Sequence, residues 1–138
     1  MTYQRAVTVG VFDMLHEGHV NLLKEMQARA EHVYVIIHDD HSTFLNKNRF
    51  PVQALSHRIA NLRQLQIATE IISCVVADPG PILDNMVVAL LQLGSVVYVR
   101  GDDWENFPGK SVLDQHGIPI EYIPYTTGIS SSQRRDEL

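Results

Sequence analysis

The stretch 7–23, VTVGVFDMLHEGHVNLL, constrains this chain more than any other. A β-branched apolar run ends at Gly10, turn-like residues follow, and apolar positions then recur at helical spacing. That order predicts a strand, a tight turn and the start of a helix. Gly10 permits a close backbone approach that a side chain would block. Gly18 keeps open the surface between His16 and His19, which, three residues apart, share one face of an opening helical turn. A helix N-terminus behind a buried strand favours anions through its N–H groups and dipole, and two imidazoles add donors there. Taken alone, such a pair is more often structural or solvated than catalytic. Asp13, His16 and His19 together lack the further ligands that a zinc site wants. The arrangement suits a phosphate chain better than a metal.

Strand and helix alternate along the rest of the chain. Residues 20–30 carry a helical apolar stripe, 32–38 form a short buried strand, and 39–49 read as a polar loop. Residues 54–66 predict a second helix, 71–76 a third strand, 82–93 a third helix and 95–100 a fourth strand. A loop over 102–109, a short helix over 110–116, a fifth strand over 118–123 and a final helix capped near Ser130 complete the reading. The expectation is one α/β domain over 1–138, a Rossmann-like doubly wound fold with a five-stranded parallel sheet and helices on both faces. In such sheets ligands bind beyond the carboxyl ends of the strands, where strand order reverses. The chemically informative residues follow strands one, two, four and five, so the topology gathers them on one edge.

Composition excludes several classes. The net charge of −5 offers no generally basic surface, so no nucleic-acid partner is expected, and an anionic substrate must be held by local cations. No apolar run reaches membrane-spanning length. The single cysteine, Cys74, lies in an apolar run and permits no internal disulfide, which fits a reducing cytoplasm. The N-terminus lacks the plan of a signal peptide, so the terminal Arg-Asp-Glu-Leu is read as coincidence rather than as a retrieval tail.

The string G-x-F-D-x-x-H-x-G-H, from Gly10 to His19, resembles the signature of the nucleotidyltransferase superfamily that includes the cytidylyltransferases. Arg100-Gly101-Asp102-Asp103-Trp104 is similar to a segment of its glycerol-3-phosphate cytidylyltransferase branch, and Thr126-Thr127-Gly128-Ile129-Ser130-Ser131-Ser132 is similar to that branch's T-x-G-I-S-T-T motif. The resemblance runs from Gly10 to Ser132. It implies transfer of a cytidylyl group from CTP, complexed with magnesium, to a small phosphorylated acceptor. His16, His19 and Lys47 would carry catalysis. Gly10, Val11, Phe12, Gly18, Arg49, Arg100, Gly101, Asp102, Trp104, Tyr125, Thr126, Gly128, Ile129, Ser130 and Ser131 would bind the nucleotide. Asp13, Asp40 and Arg58 would meet the acceptor. Each of these stretches also has a plain structural reading, as an acidic turn, a capped helix or solvent-facing cations.

The chain departs from the family pattern in three places. Gln66 stands where an arginine is common, Tyr125 stands where another precedes the last motif, and residues 77–83 lack the lysine associated with glycerol phosphate. The first two losses leave room for a nucleotide-sensing module without turnover. The third puts glycerol 3-phosphate itself in question. An ATP-using adenylyltransferase acting on a sugar phosphate, FMN or pantetheine phosphate is the alternative within the superfamily. The resemblance also implies a homodimer, paired near residues 66–72.

Overall fold

The computed structural model describes residues 2–102 and 107–124. Its elements are β1 (Tyr3–Gly10), α1 (Glu17–Arg29), β2 (Ala30–His38), α2 (Asp40–Lys47), α3 (Leu55–Gln64), β3 (Glu70–Cys74), α4 (Gly80–Leu91), β4 (Val96–Gly101), α5 (Lys110–Gln115) and β5 (Ile120–Ile123). All four strand pairings are parallel, and the order is β3-β2-β1-β4-β5. The order reverses at β1, which lies between β2 and β4, so the β1 carboxyl end opens onto the switch point.

Alternate residues of the central strands feed two separate cores. On one face Ala6, Val33, Val35, Ile37, Val97 and Val99 pack with Leu23 and Met26 of α1 and Leu62 of α3. On the other, Val7, Ile36 and Tyr98 pack with Leu83, Val87 and Leu90 of α4 and Leu113 of α5. A strand buried on both sides reads as a continuous apolar run, which is why β1, β2 and β4 were legible. No helix among the described residues is long and apolar enough to cross a membrane.

The polar stretch expected to be a loop contains a helix. Asp39 caps α2, its Oδ1 accepting from the Ser42 N–H at 2.7 Å, and Asn48 ends it in the left-handed region with φ 58°. The buried face of α2 is Ser42 and Thr43 rather than an apolar stripe, so hydrophobic periodicity carried no trace of it. Helix α1 starts at Glu17 with His16 as its cap, so the expected opening turn is the one that carries the histidines. Strand β3 stops at Cys74, and Val75 and Val76 are exposed although apolar.

Candidate active site

Between β1 and α1 the backbone is forced. Phe12 and Met14 have φ of 55° and 48°, in the left-handed region that costs a non-glycine residue about 1–3 kcal/mol. A Cβ on Gly10 would stand 2.9 Å from the Phe12 ring, so glycine makes room for Phe12 to fold back. The conformation is held from outside. Asp13 is 1% exposed, and its carboxylate accepts from the N–H groups of Val52 at 2.8 Å and Gln53 at 3.0 Å. The Met14 N–H donates to Gln53 Oε1 at 3.1 Å.

The two histidines are fixed by a reciprocal cap. His16 Nδ1 accepts from the Gly18 N–H at 3.0 Å, and His19 Nδ1 accepts from the His16 N–H at 3.3 Å. A ring nitrogen that accepts cannot carry the proton, so in both neutral rings the proton belongs on Nε2. The rings stack with centroids 3.8 Å apart and planes 21° apart, and Phe12 tilts against His19 at 5.3 Å. Two Nε2–H donors are thereby preset at the positive end of α1, on the carboxyl edge of the sheet.

Arg58 and Asp13 lie deeper than expected of acceptor contacts. Arg58 is wholly buried. It donates from Nε to Gln53 O at 2.9 Å, from Nη1 to Val11 O and His38 O at 2.8 Å each, and from Nη2 to Asp40 Oδ1 at 2.7 Å. The guanidinium therefore ties the ends of β1 and β2 to α2 and to the segment before α3. The reason is geometric: a planar fork of donors satisfies several carbonyls at once, which an exposed phosphate contact would forgo. Asp40, the third expected acceptor contact, is the partly exposed partner of this pair.

Beyond the ends of β1, β2 and β4, toward α4, lies a cavity of about 320 Å³ lined by Val9, Gly10, Val11, His38, Asn46, Lys47, Pro79, Tyr98, Arg100, Phe107 and Pro108. Lys47 and Arg100 bring two cations to it. Arg100 lies over the Phe107 ring at 4.2 Å, and Tyr98 stacks with that ring, nearly parallel, with centroids 5.3 Å apart. Burial pushes the Tyr98 phenol up to about 12, so it stays neutral. His38 is 6% exposed, with Nδ1 at 3.0 Å from Ser42 Oγ. Burial lowers its pKa below the ordinary value, helped by Lys47 and Arg58 and opposed by Asp39. A wider depression of about 540 Å³, lined by Met14, Leu15, Val52, Gln53, Asn61, Gln64 and Leu65, has amide and apolar walls and no cation to hold a phosphate.

Of the expected site residues, Gly10, Val11, Lys47 and Arg100 line the charged cavity, while His16, Gly18 and His19 form the adjoining helix start. Arg49 falls outside that lining. Gly101 ends β4, and the Asp102 N–H donates to Ile123 O at 3.0 Å. Trp104, Tyr125, Thr126, Gly128, Ile129, Ser130 and Ser131 lie outside the described residues, as does the final helix. Sequence reasoning counted His38, with Asp39 and Asp40, among the informative residues after the second strand but gave it no role, and it passed over Tyr98 and Phe107. The position of His38 at the carboxyl end of a buried strand was the available signal. Burial pushes the Cys74 thiol up, so it is no ready nucleophile.

Known proteins resemble this chain in sequence and in fold. A family model described as cytidylyltransferase-like matches residues 7–137. The glycerol-3-phosphate cytidylyltransferase of Bacillus subtilis (strain 168) is 27% identical over 135 residues, which cover 98% of this chain and 97% of that protein. An FAD synthase of Thermococcus sibiricus is 32% identical over 126 residues, covering 88% of this chain and 80% of that protein. A lipopolysaccharide core biosynthesis protein of Thermoplasma volcanium GSS1 shares the fold, with TM-score 0.63 at 22% identity over 90% of this chain and 99% of that one.

Proposed function

The chain belongs to the cytidylyltransferase-like family, and from that premise we propose that it transfers a cytidylyl group from CTP to a small phosphorylated acceptor, releasing pyrophosphate. The observation that carries this reading is the reciprocal histidine cap, which aims two Nε2–H donors from the start of α1. A phosphate monoester is already a nucleophile at neutral pH, so the protein needs no covalent intermediate. An acceptor oxygen attacks the α-phosphorus, the bond to the bridging oxygen breaks, and negative charge passes to the departing pyrophosphate. His16 and His19 hold the phosphate oxygens on which charge builds, and Lys47 from the end of α2 draws the two reactants together.

Magnesium belongs to the substrate. Asp13 accepts from two backbone N–H groups, Asp40 holds Arg58, and no cluster of three metal-ligating side chains stands among the described residues. A hard cation carried by the triphosphate, with water completing its shell, suits such a protein, and it supplies charge neutralisation of the pyrophosphate.

The likeness to the cytidylyltransferase, almost end to end in both chains, supports CTP. The FAD synthase at 32% identity supports ATP as the second reading. A release assay for pyrophosphate, run with CTP, ATP, GTP and UTP against a mixed pool of phosphorylated metabolites, decides between them. The expected result is release with CTP above the other three. Release with ATP alone moves the protein to the adenylyl branch, and no release with any nucleotide leaves a binding module. We place the pairing surface of a homodimer at residues 66–72, and a monomer mass by light scattering at micromolar concentration refutes that assignment.

A further inference from the structure

The outer face of α4 differs from those of α1 and α3. Charged residues make up 20% of the sequence, yet none stands between Asp84 and Arg100. Toward solvent, α1 presents Lys24 and α3 presents Arg63. Helix α4 presents Asn85, Val88 and Ala89, with Gln92 at its end, all exposed. Val88 is 46% exposed, Leu91 40%, and Leu93, just past the helix, 64%. Asp84, the nearest charge along the chain, is engaged by His116 at the end of α5. The inward side of α4, with Leu83, Val87 and Leu90, is already committed to the core. Copies of a chain with a net charge of −5 repel one another, and a charge-free face with uncovered apolar side chains is where two of them meet at least electrostatic cost.

The stripe is also complementary to itself. Asn85, Val88, Ala89 and Gln92 follow the i, i+3, i+4, i+7 spacing that lines one side of a helix. A two-fold axis crossing this face between Val88 and Ala89 sets the α4 helices of two copies antiparallel. Val88 of one copy then meets Ala89 of the other, so a branched side chain fills the space beside a methyl group. Asn85 meets Gln92, and two carboxamides, each a donor and an acceptor, can bond reciprocally. No hydrogen bond among the described residues uses either carboxamide. Pairing through one helix face lies at the small end of specific interfaces, which bury roughly 1,200–2,000 Å² in total, so the contact is weak and forms as concentration rises.

We infer that the outer face of α4 is a self-association surface, on which a second copy of this chain docks its own α4 antiparallel about a two-fold axis between Val88 and Ala89. This surface is separate from residues 66–72, whose Ile67, Ala68 and Ile71 pack with the core on the α1 side of the sheet. Where copies pair through 66–72, the α4 contact joins two such dimers, and where they do not, it joins two monomers. Helix α4 reaches the charged cavity through Pro79, ahead of its first turn, so the stripe toward its other end leaves that cavity open.

The test follows the full chain by sedimentation velocity from low micromolar to submillimolar concentration. The expected result is a reversible mass-doubling step that Val88→Glu weakens about tenfold or more, because it sets like charges against each other near the axis. Gln27→Glu, which adds the same charge on the exposed side of α1, should keep the step. Orientation is read by disulfide capture in a glutathione buffer, in which the native Cys74 is buried. Asn85→Cys mixed with Gln92→Cys should give a linked dimer holding one of each. Neither variant should link to itself, since its two cysteines stand about 10 Å apart along the helices. A wild type without a mass-doubling step, a step that Val88→Glu leaves unchanged, or the absence of the mixed disulfide overturns the assignment. Should Val88→Glu fail to fold, the capture experiment decides alone. Flotation of the wild type with phosphatidylcholine vesicles, lost in Val88→Glu, would give the face to a lipid surface and likewise overturns it.

Discussion

The two sides of the β1 carboxyl end are built on opposite principles. Toward α1 and α3 the turn is over-determined: two left-handed residues are pinned by Asp13, Gln53 and Arg58, and the histidines cap each other. Toward α4 the cavity has few groups, contributed by β1, β2, α2, β4 and the segments before α4 and α5. The braced side presets donors for charge that develops during phosphoryl transfer, where a small misplacement is costly. The sparse side is free to change its lining without disturbing that geometry. One fold can thereby keep a reaction and vary its acceptor, as expected of sites grafted onto a common scaffold.

If the braced side is rigid by construction, removing its central clamp should cost stability first. Arg58→Met leaves Val11 O, His38 O and Gln53 O without their buried donor and Asp40 without its partner. The expected loss is about 3–5 kcal/mol of unfolding free energy in urea titrations. A loss below about 1 kcal/mol would mean that the turn does not depend on this clamp.

A histidine on the same side should cost chemistry instead. His19→Ala is expected to lower turnover on the order of 100- to 1,000-fold, the effect of losing one donor aimed at a developing charge. Affinity for CTP should stay within about tenfold. A larger loss of affinity with little loss of turnover would make the pair a binding device and erase the contrast.

The smallest effect belongs to the sparse side and depends on pH. The His38 pKa is lowered from 6.5 in the fold, so as pH falls the unfolded chain takes up this proton first. The unfolded state then binds more protons, and stability drops with pH through the window from 6.5 down to the folded value. His38→Asn removes this component. The urea midpoint of the wild type should fall more than the variant's between about pH 7 and about pH 5.5. Parallel pH dependence in the two proteins would show that His38 is not held neutral by burial.

How much of this was legible in the sequence follows from which signals each part leaves. The buried strands read as apolar runs, and the spacing of His16, Gly18 and His19 exposed the helix start. Helix α2 left no apolar period because its inward residues are Ser42 and Thr43. Arg58 read as an acceptor contact or a solvent-facing cation because arginine is ordinarily exposed, and only the convergence of three carbonyls and Asp40 from separate segments explains its burial. Asp13 is similar, since its partners, Val52 and Gln53, are brought to it by the tertiary fold. His38, Tyr98 and Phe107 meet only where β2, β4 and the segment before α5 converge. Residues that gain a role through long-range contact carry no local signature of it.

The tautomers of the two capping histidines test the central reading most directly. In ¹⁵N spectra of the full chain, His16 and His19 should each carry the ring proton on Nε2, with Nδ1 accepting from its backbone N–H. Addition of CTP with magnesium should move both Nε2 signals while leaving each Nδ1 an acceptor from its backbone N–H. Protons on Nδ1 in the unliganded protein, or Nε2 signals indifferent to the nucleotide, would contradict it.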